Sequence, residues 1–192
     1  MKGGEMKPSF KDLLGKKTLI MGDVGVGKTE LTRRLLIEAI SLGYSREITV
    51  IDMAPEAEII DGRPIGGRLL EPAERPNGVR YLAPLRVEMP RVKAASTEEL
   101  RHLVDLNARR IRPLLEMYLD SPTPILFIND VSIYLQSGCL HPLTDVVGRA
   151  ETAVINGYYG EYLAEDRGTG VSAVERRLME QLSLLMDIVI RL

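Results

Sequence analysis

Gly22-Asp23-Val24-Gly25-Val26-Gly27-Lys28-Thr29 has the residue types and spacing to hold a phosphate chain. It follows G-x-x-x-x-G-K-T, the pattern called Walker A. Glycines at 22, 25 and 27 let the backbone turn tightly and aim several N–H groups at one anion. Lys28 is placed to reach the β- and γ-phosphates, and Thr29 to ligate Mg²⁺ through its hydroxyl. Glu30 follows directly, so the expected nucleotide-binding set is Gly22 to Glu30. A second chemical group is Asp130, which ends the apolar run Pro124-Ile125-Leu126-Phe127-Ile128-Asn129 in the manner of Walker B. A hard divalent ion that shares phosphate oxygens needs a carboxylate at such a place, which makes Asp130 the metal-side acid. A third group is Asp52, at the carboxyl end of Ile48-Thr49-Val50-Ile51, with Glu56 and Glu58 close behind it.

The elements needed to position these groups are legible. Lys17 to Met21 is an apolar run of strand length. Leu31, Leu35, Leu36, Ala39 and Ile40 then line one face of a helix that ends near Gly43. Ile48–Met53 and Val79–Ala83 read as strands. Ala54 to Gly78, rich in proline and glycine, shows neither period and is expected to be a long insertion loop. Ser96 or Thr97, with Glu98 and Glu99, starts a helix that runs to about Leu119, and Pro113 is expected to kink or divide it. A short helix is expected near Pro142–Ala150 and a strand at Thr152–Asn156. A loop over Gly157–Gly170 follows, then a helix from about Ser172 with Glu175 completing a capping box, and a last strand over Asp187–Leu192. Residues 1–11 read as a loose tail, although Phe10, Leu13 and Leu14 suit a short docked helix.

With 192 residues, 45% apolar and 27% charged, the chain suits one α/β domain, over residues 1–192. A net charge of −2 argues against a general nucleic-acid surface. Cys139 stands alone, which excludes a disulfide framework or a cysteine zinc site. No apolar run approaches membrane-spanning length and MKGGEMKPSF is not a signal peptide, so a cytoplasmic protein without a membrane partner is the expectation.

Taken in order, these elements resemble the RecA/KaiC-like branch of the P-loop NTPases. Three stretches carry the resemblance: Gly22 to Thr29, Ile51-Asp52-Met53-Ala54-Pro55-Glu56, and Leu126-Phe127-Ile128-Asn129-Asp130-Val131-Ser132. It implies a three-layer fold with a mostly parallel central sheet flanked by helices. It also implies that the acidic segment after Asp52 supplies a water-activating carboxylate, Glu56 first, with Glu58 and Asp52 as alternatives. Asn156 falls where that group has a polar sensor of the γ-phosphate. The sequence departs from the family in having no acid directly after Asp130. A homo-oligomer is implied as well.

The activity expected is Mg²⁺-dependent ATP binding and hydrolysis, with Lys28, Glu56 and Asn156 as catalytic residues. ATP is preferred to GTP because no Asn/Thr-Lys-x-Asp motif occurs. Arg167, in its glycine-flanked loop, is a candidate arginine finger, although an exposed loop charge explains it as well. Tyr158, Tyr159 and Tyr162 suit base stacking or packing at a sheet edge. Two other readings stand beside this one. In a small-molecule kinase the 54–78 segment would be a substrate lid, with Arg63 and Arg68 gripping an anion. In a nucleotide-bound regulatory or assembly protein turnover would be negligible. A metallochaperone GTPase is disfavoured, since His102 and His141 are the only histidines and no Cys/His cluster exists.

Overall fold

Apolar strand runs without alternation fit a parallel sheet covered on both faces, and the computed structural model, which describes residues 8–192, has that arrangement. In chain order the elements are β1 (Lys17–Gly22), α1 (Lys28–Ser41), β2 (Ile48–Asp52), β3 (Glu58–Ile60), β4 (Arg63–Ile65), β5 (Arg80–Leu82), α2 (Pro90–Lys93) and α3 (Thr97–Asp120). They continue with β6 (Ile125–Asn129), α4 (Val131–Leu135), α5 (His141–Arg149), β7 (Thr152–Tyr158), α6 (Val171–Ser183) and β8 (Ile188–Arg191). Six of the strands form one sheet in the order β5-β2-β6-β7-β1-β8. Every neighbouring pair in it is parallel. β7 therefore lies between β1, which leads into the glycine loop, and β6, which leads into Asp130.

Side chains alternate across this sheet and divide the core in two. Ile20, Val50, Phe127 and Val154 point to the face covered by Leu35, Leu36 and Ala39 of α1. Leu19, Met21, Ile51, Leu126, Ile128 and Ile155 point to the opposite face. There Ile111 and Leu115 of α3, Val146 of α5 and Leu178 and Leu182 of α6 meet them. No helix among the described residues is long and apolar enough to cross a membrane.

Several local expectations are corrected. Residues 1–7 lie outside the described residues; from there on the expected loose tail gives way to the docked turn that Phe10 and Leu13 suit, with Phe10 fully buried. Its ring stacks on Phe127 with centroids 5.9 Å apart, and a short 3₁₀ turn over Phe10–Leu13 carries it. The 54–78 segment is not wholly irregular. It holds the antiparallel hairpin β3–β4, turned by Asp61 and Gly62 at φ 50° and 75°, a dipeptide suited to a two-residue turn. α4, directly after Asp130, was not among the expected elements. The capping box at Ser172 is absent: Gly170 precedes α6 in a left-handed conformation, the Ser172 amide donates to Asp166, and Glu175 is buried elsewhere.

α3 runs unbroken through Pro113, with Asn107, Ile111, Leu115 and Tyr118 buried along one stripe. Its tertiary packing outweighs the lost hydrogen bond, and Pro113 itself faces solvent. Pro113→Ala is accordingly expected to raise stability by about 2 kcal/mol, since no packing is lost and a helix-breaking residue is removed. Urea denaturation followed by circular dichroism measures the shift.

Candidate phosphate site

The chain leaves β1 at Gly22 and turns through Gly25 and Gly27, both left-handed at φ 75° and 96°, before α1 begins. A side chain at either position would be strained, so the glycine types are required by the backbone path. Lys28 stands at the start of α1. Its ammonium donates to the Asp23 carbonyl, and no carboxylate among the described residues pairs with it. Burial pulls its pKa down, offset in part by the charges of Asp130 and Asp23. A cation in no direct ion pair above the N-terminus of a 14-residue helix is a site that favours an anion.

Asp23 is committed to structure. Burial acts to raise its pKa, but the amides of Glu161, Val24 and Tyr162 outweigh it and hold the carboxyl below its ordinary range. Gly160 lies so close that a Cβ there would stand 2.2 Å from the Asp23 carboxyl carbon. The glycine loop is thereby fastened to the segment that follows β7.

Asp130 caps α4 at φ 58°, ψ 57°, an uncommon backbone state for a non-glycine residue. Burial pushes its pKa up, while the Ser132 hydroxyl and the charges of Lys28 and Arg91 pull it down. Its amide donates to Asn156 Oδ1 at 2.9 Å. Asn156 Nδ2 donates in turn to Thr32 Oγ1 and to Asn129 Oδ1, both at 2.9 Å. Asn129 Nδ2 then donates to Asp52 Oδ1 at 2.8 Å and to the Gly67 carbonyl at 3.0 Å. Asp52 also accepts from the Leu69 amide at 2.8 Å, the Ala54 amide at 3.2 Å and the Tyr81 hydroxyl. A hydrogen-bonded relay thus crosses the carboxyl ends of β2, β6 and β7 to α1.

A cavity of about 90 Å³ opens beside the glycine loop. Val24, Gly25, Lys28, Thr29, Asp130 and Asn156 form one side of it, and Pro64 to Gly67, the strap that ends β4, forms the other. An outer cleft of about 480 Å³ shares Gly25, Lys28, Thr29 and the strap, and brings in Gly27, Glu30 and Arg33. Gly22 packs against the Leu192 carbonyl, and Val26 is exposed at the rim. The structure therefore brings together Lys28, Thr29, Asp130 and Asn156 from three separate stretches of chain. Among the described residues Asp130 is the only carboxylate lining the inner cavity.

Glu56, the expected water-activating residue, does not line that cavity. The Gly67 amide donates to the Pro55 carbonyl at 2.9 Å, and Gly66 packs against the carbonyls of Pro55 and Glu56. The exposed Glu56 side chain instead lines a different cleft of about 640 Å³. Glu58 pairs with Lys93, and Asp52 is saturated within the relay. Arg68 is also committed: it donates to the carbonyls of Asp52 at 2.9 Å and Pro84 at 3.0 Å. Arg63 stacks on Tyr162 with its guanidinium carbon 4.7 Å from the ring centroid, and Tyr159 carries Arg176 in the same way. Arg167 is exposed in a left-handed turn whose carbonyl accepts from Thr97.

Of two buried charges, sequence singles out neither in its observed role: Arg91 goes unnoticed, and Glu175 reads as a helix cap. Arg91 of α2 and Glu175 of α6 form a bidentate pair at 2.9 and 3.0 Å. Burial pushes the Glu175 carboxyl up to about 7 from 4.5 even so, although Arg91 and the Gln136 amide oppose the shift. The motif-free context of Arg91, one residue after a proline, offers no signal. Asn129 did offer one, as an amide at the end of an otherwise apolar strand.

Two outcomes follow from this geometry. Asp52→Ala strands the Leu69 amide, the Tyr81 hydroxyl and one Asn129 proton, and leaves Arg68 without its buried counter-charge. The expected cost is roughly 3–5 kcal/mol in a denaturant titration. Because the folded-state pKa of Glu175 lies above its ordinary value, the folded state binds the extra proton between pH 4.5 and about 7. Stability should therefore decline as pH rises through that window, and Glu175→Gln should flatten the slope in thermal melts at stepped pH. No protein-family model matches the chain, and no curated protein matches it in sequence.

Proposed function

We propose that this chain binds Mg²⁺–ATP at Gly22–Thr29 as a RecA/KaiC-like P-loop domain and hydrolyses it slowly. The observation that carries this reading is Lys28: a half-buried cation in no direct ion pair among the described residues, held at a helix N-terminus behind two left-handed glycines and lining one cavity with Asp130. The strand order supports it too, since β7, with Asn156, runs between the strands that carry the two phosphate-site motifs.

The chain's own groups divide the work. The loop amides and Lys28 bind the β- and γ-phosphoryl oxygens and stabilise charge that develops on them. Thr29 and Asp130 are hard oxygen donors that line one cavity, a set suited to Mg²⁺. When bound, that ion neutralises charge on the phosphate oxygens. Asn156 spends both its amide protons on Thr32 and Asn129, so its contribution is to hold the Asp130 amide rather than to donate to phosphate. Glu56 reaches the cavity only if the 64–67 strap moves, which is why turnover is expected to be slow.

One observation favours a second reading, a nucleotide-bound regulatory or assembly protein with negligible turnover: among the described residues no carboxylate other than Asp130 lines the inner cavity. The kinase reading loses support because Arg68 is tied to Asp52 and Pro84 and is not free to grip a substrate anion.

Isothermal titration with Mg²⁺–ATP, paired with phosphate-release assays, tests the proposal. Wild-type protein should bind ATP, and Lys28→Ala should weaken it about tenfold to a hundredfold, the worth of a charge-assisted hydrogen bond to phosphate. Failure of the wild-type protein to bind ATP, or equal binding by Lys28→Ala, overturns the ATP-site reading. Glu56→Gln should lower phosphate release. Unchanged release in that variant removes Glu56 from the mechanism, and no release from wild-type protein selects the regulatory reading.

A further inference from the structure

The inner phosphate cavity does not end at Asp130. A second cavity of about 40 Å³ adjoins it, and the two share Ile65, Gly66, Asp130, Tyr158 and Leu163 as walls. Arg91 and Gln136 line this second cavity. The Arg91 side chain is 5% exposed and its guanidinium carbon sits 5.0 Å from the centroid of the Tyr158 ring. Glu175 holds it on the far side through the bidentate pair, with a longer contact of 3.4 Å to the Ser172 hydroxyl. Tyr158 therefore stands with one part of its surface on the phosphate cavity and its ring under Arg91.

A purely structural pair explains this cluster poorly. Buried ion pairs add little stability over apolar residues of the same size. This one is also incompletely satisfied. Gln136 donates to Glu175 at 2.8 Å, yet its own Oε1 is buried without a hydrogen-bond partner among the described residues. The carboxyl of Glu175 remains costly to ionise despite facing an arginine. Asp130, in turn, feels two cations, Lys28 from the glycine loop and Arg91 from α2.

We propose that Arg91 is a second phosphate-facing cation, stored on Glu175 and drawn along the Tyr158 ring through the adjoining cavity when a nucleoside triphosphate occupies the inner one. The inference rests on the ATP-binding reading above. The terminal phosphoryl supplies the negative charge that competes with Glu175, and a guanidinium is the group suited to it, being planar, always charged and able to stack on an aromatic face. A diphosphate lacks that terminal charge and leaves Arg91 where it is. The device therefore adds to the preference for triphosphate over diphosphate that Lys28 supplies through the γ-phosphoryl oxygens.

The test is the ratio of affinities for a non-hydrolysable Mg²⁺–ATP analogue and Mg²⁺–ADP, measured by titration calorimetry on the full chain. Glu175→Gln, close to isosteric, removes the charge that stores Arg91 and should tighten the ATP analogue about tenfold with ADP unchanged. Arg91→Lys should weaken the analogue about tenfold, again with ADP unchanged. Circular dichroism checks that both variants fold, and Glu175→Gln decides alone if Arg91→Lys does not. An unchanged ratio in the folded variants overturns this role for Arg91 while leaving the ATP site intact. Wild-type protein that binds neither nucleotide overturns the ATP-binding reading and this inference with it.

Discussion

Asp52 is fully buried and ionisable, and much of the candidate site's shape follows from how its charge is satisfied. Burying a carboxylate is costly unless donors surround it. Here they come from the strap (Leu69), from the edge strand β5 (Tyr81), from the neighbouring strand β6 (Asn129) and from the turn after β2 (Ala54). Each of these bonds also places something else. Leu69 and Gly67 fix the strap that walls the inner cavity. Asn129 fixes Asn156, and Asn156 fixes the amide of Asp130. The carboxylate that sequence reading offers as an alternative water activator is thus a keystone under the site.

This arrangement explains why the parts of the site differ in mobility of role. Lys28 and Thr29 are held by backbone path and helix start, so they are in place before any ligand arrives. Glu56 belongs to the insertion and points away. The insertion itself is bonded to the sheet at the level of Asp52 and Asn129, whereas its hairpin tip, β3–β4, is paired only within itself in the sheet pattern. Outside the sheet pattern, side chains hold that tip as well: Glu58 pairs with Lys93 and Arg63 stacks on Tyr162.

The fold was legible where chemistry and periodicity coincide. The glycine loop demands left-handed backbone, and Gly25 and Gly27 adopt it. The β-branched and apolar runs at 48–52 and 125–129 became central parallel strands, because continuous apolar runs suit strands buried on both faces. What could not be read is long-range pairing. Nothing near Arg91 or Glu175 indicates that α2 and α6 meet, and Glu175 three residues after Ser172 mimics a cap. Pro113 signalled a break that packing along α3 suppresses. The Asp61-Gly62 turn was readable in principle, but Pro64 and the short flanks masked the hairpin.

The relay also has a bearing on how the sheet assembles. Parallel strands lack the tight hairpins that set register in antiparallel sheets, and a slip of one residue turns every side chain to the opposite face. Asp52 pairs with Asn129 in register, and Ile128 with Ile155 one strand further on. Slip β6 by one position and Ile128 or Asp130 stands beside Asp52: an apolar side chain that donates nothing, or a second carboxylate that repels it. The row of polar residues across the carboxyl ends of the strands therefore works as a proofreading mark, rejecting misaligned sheets as the fold forms.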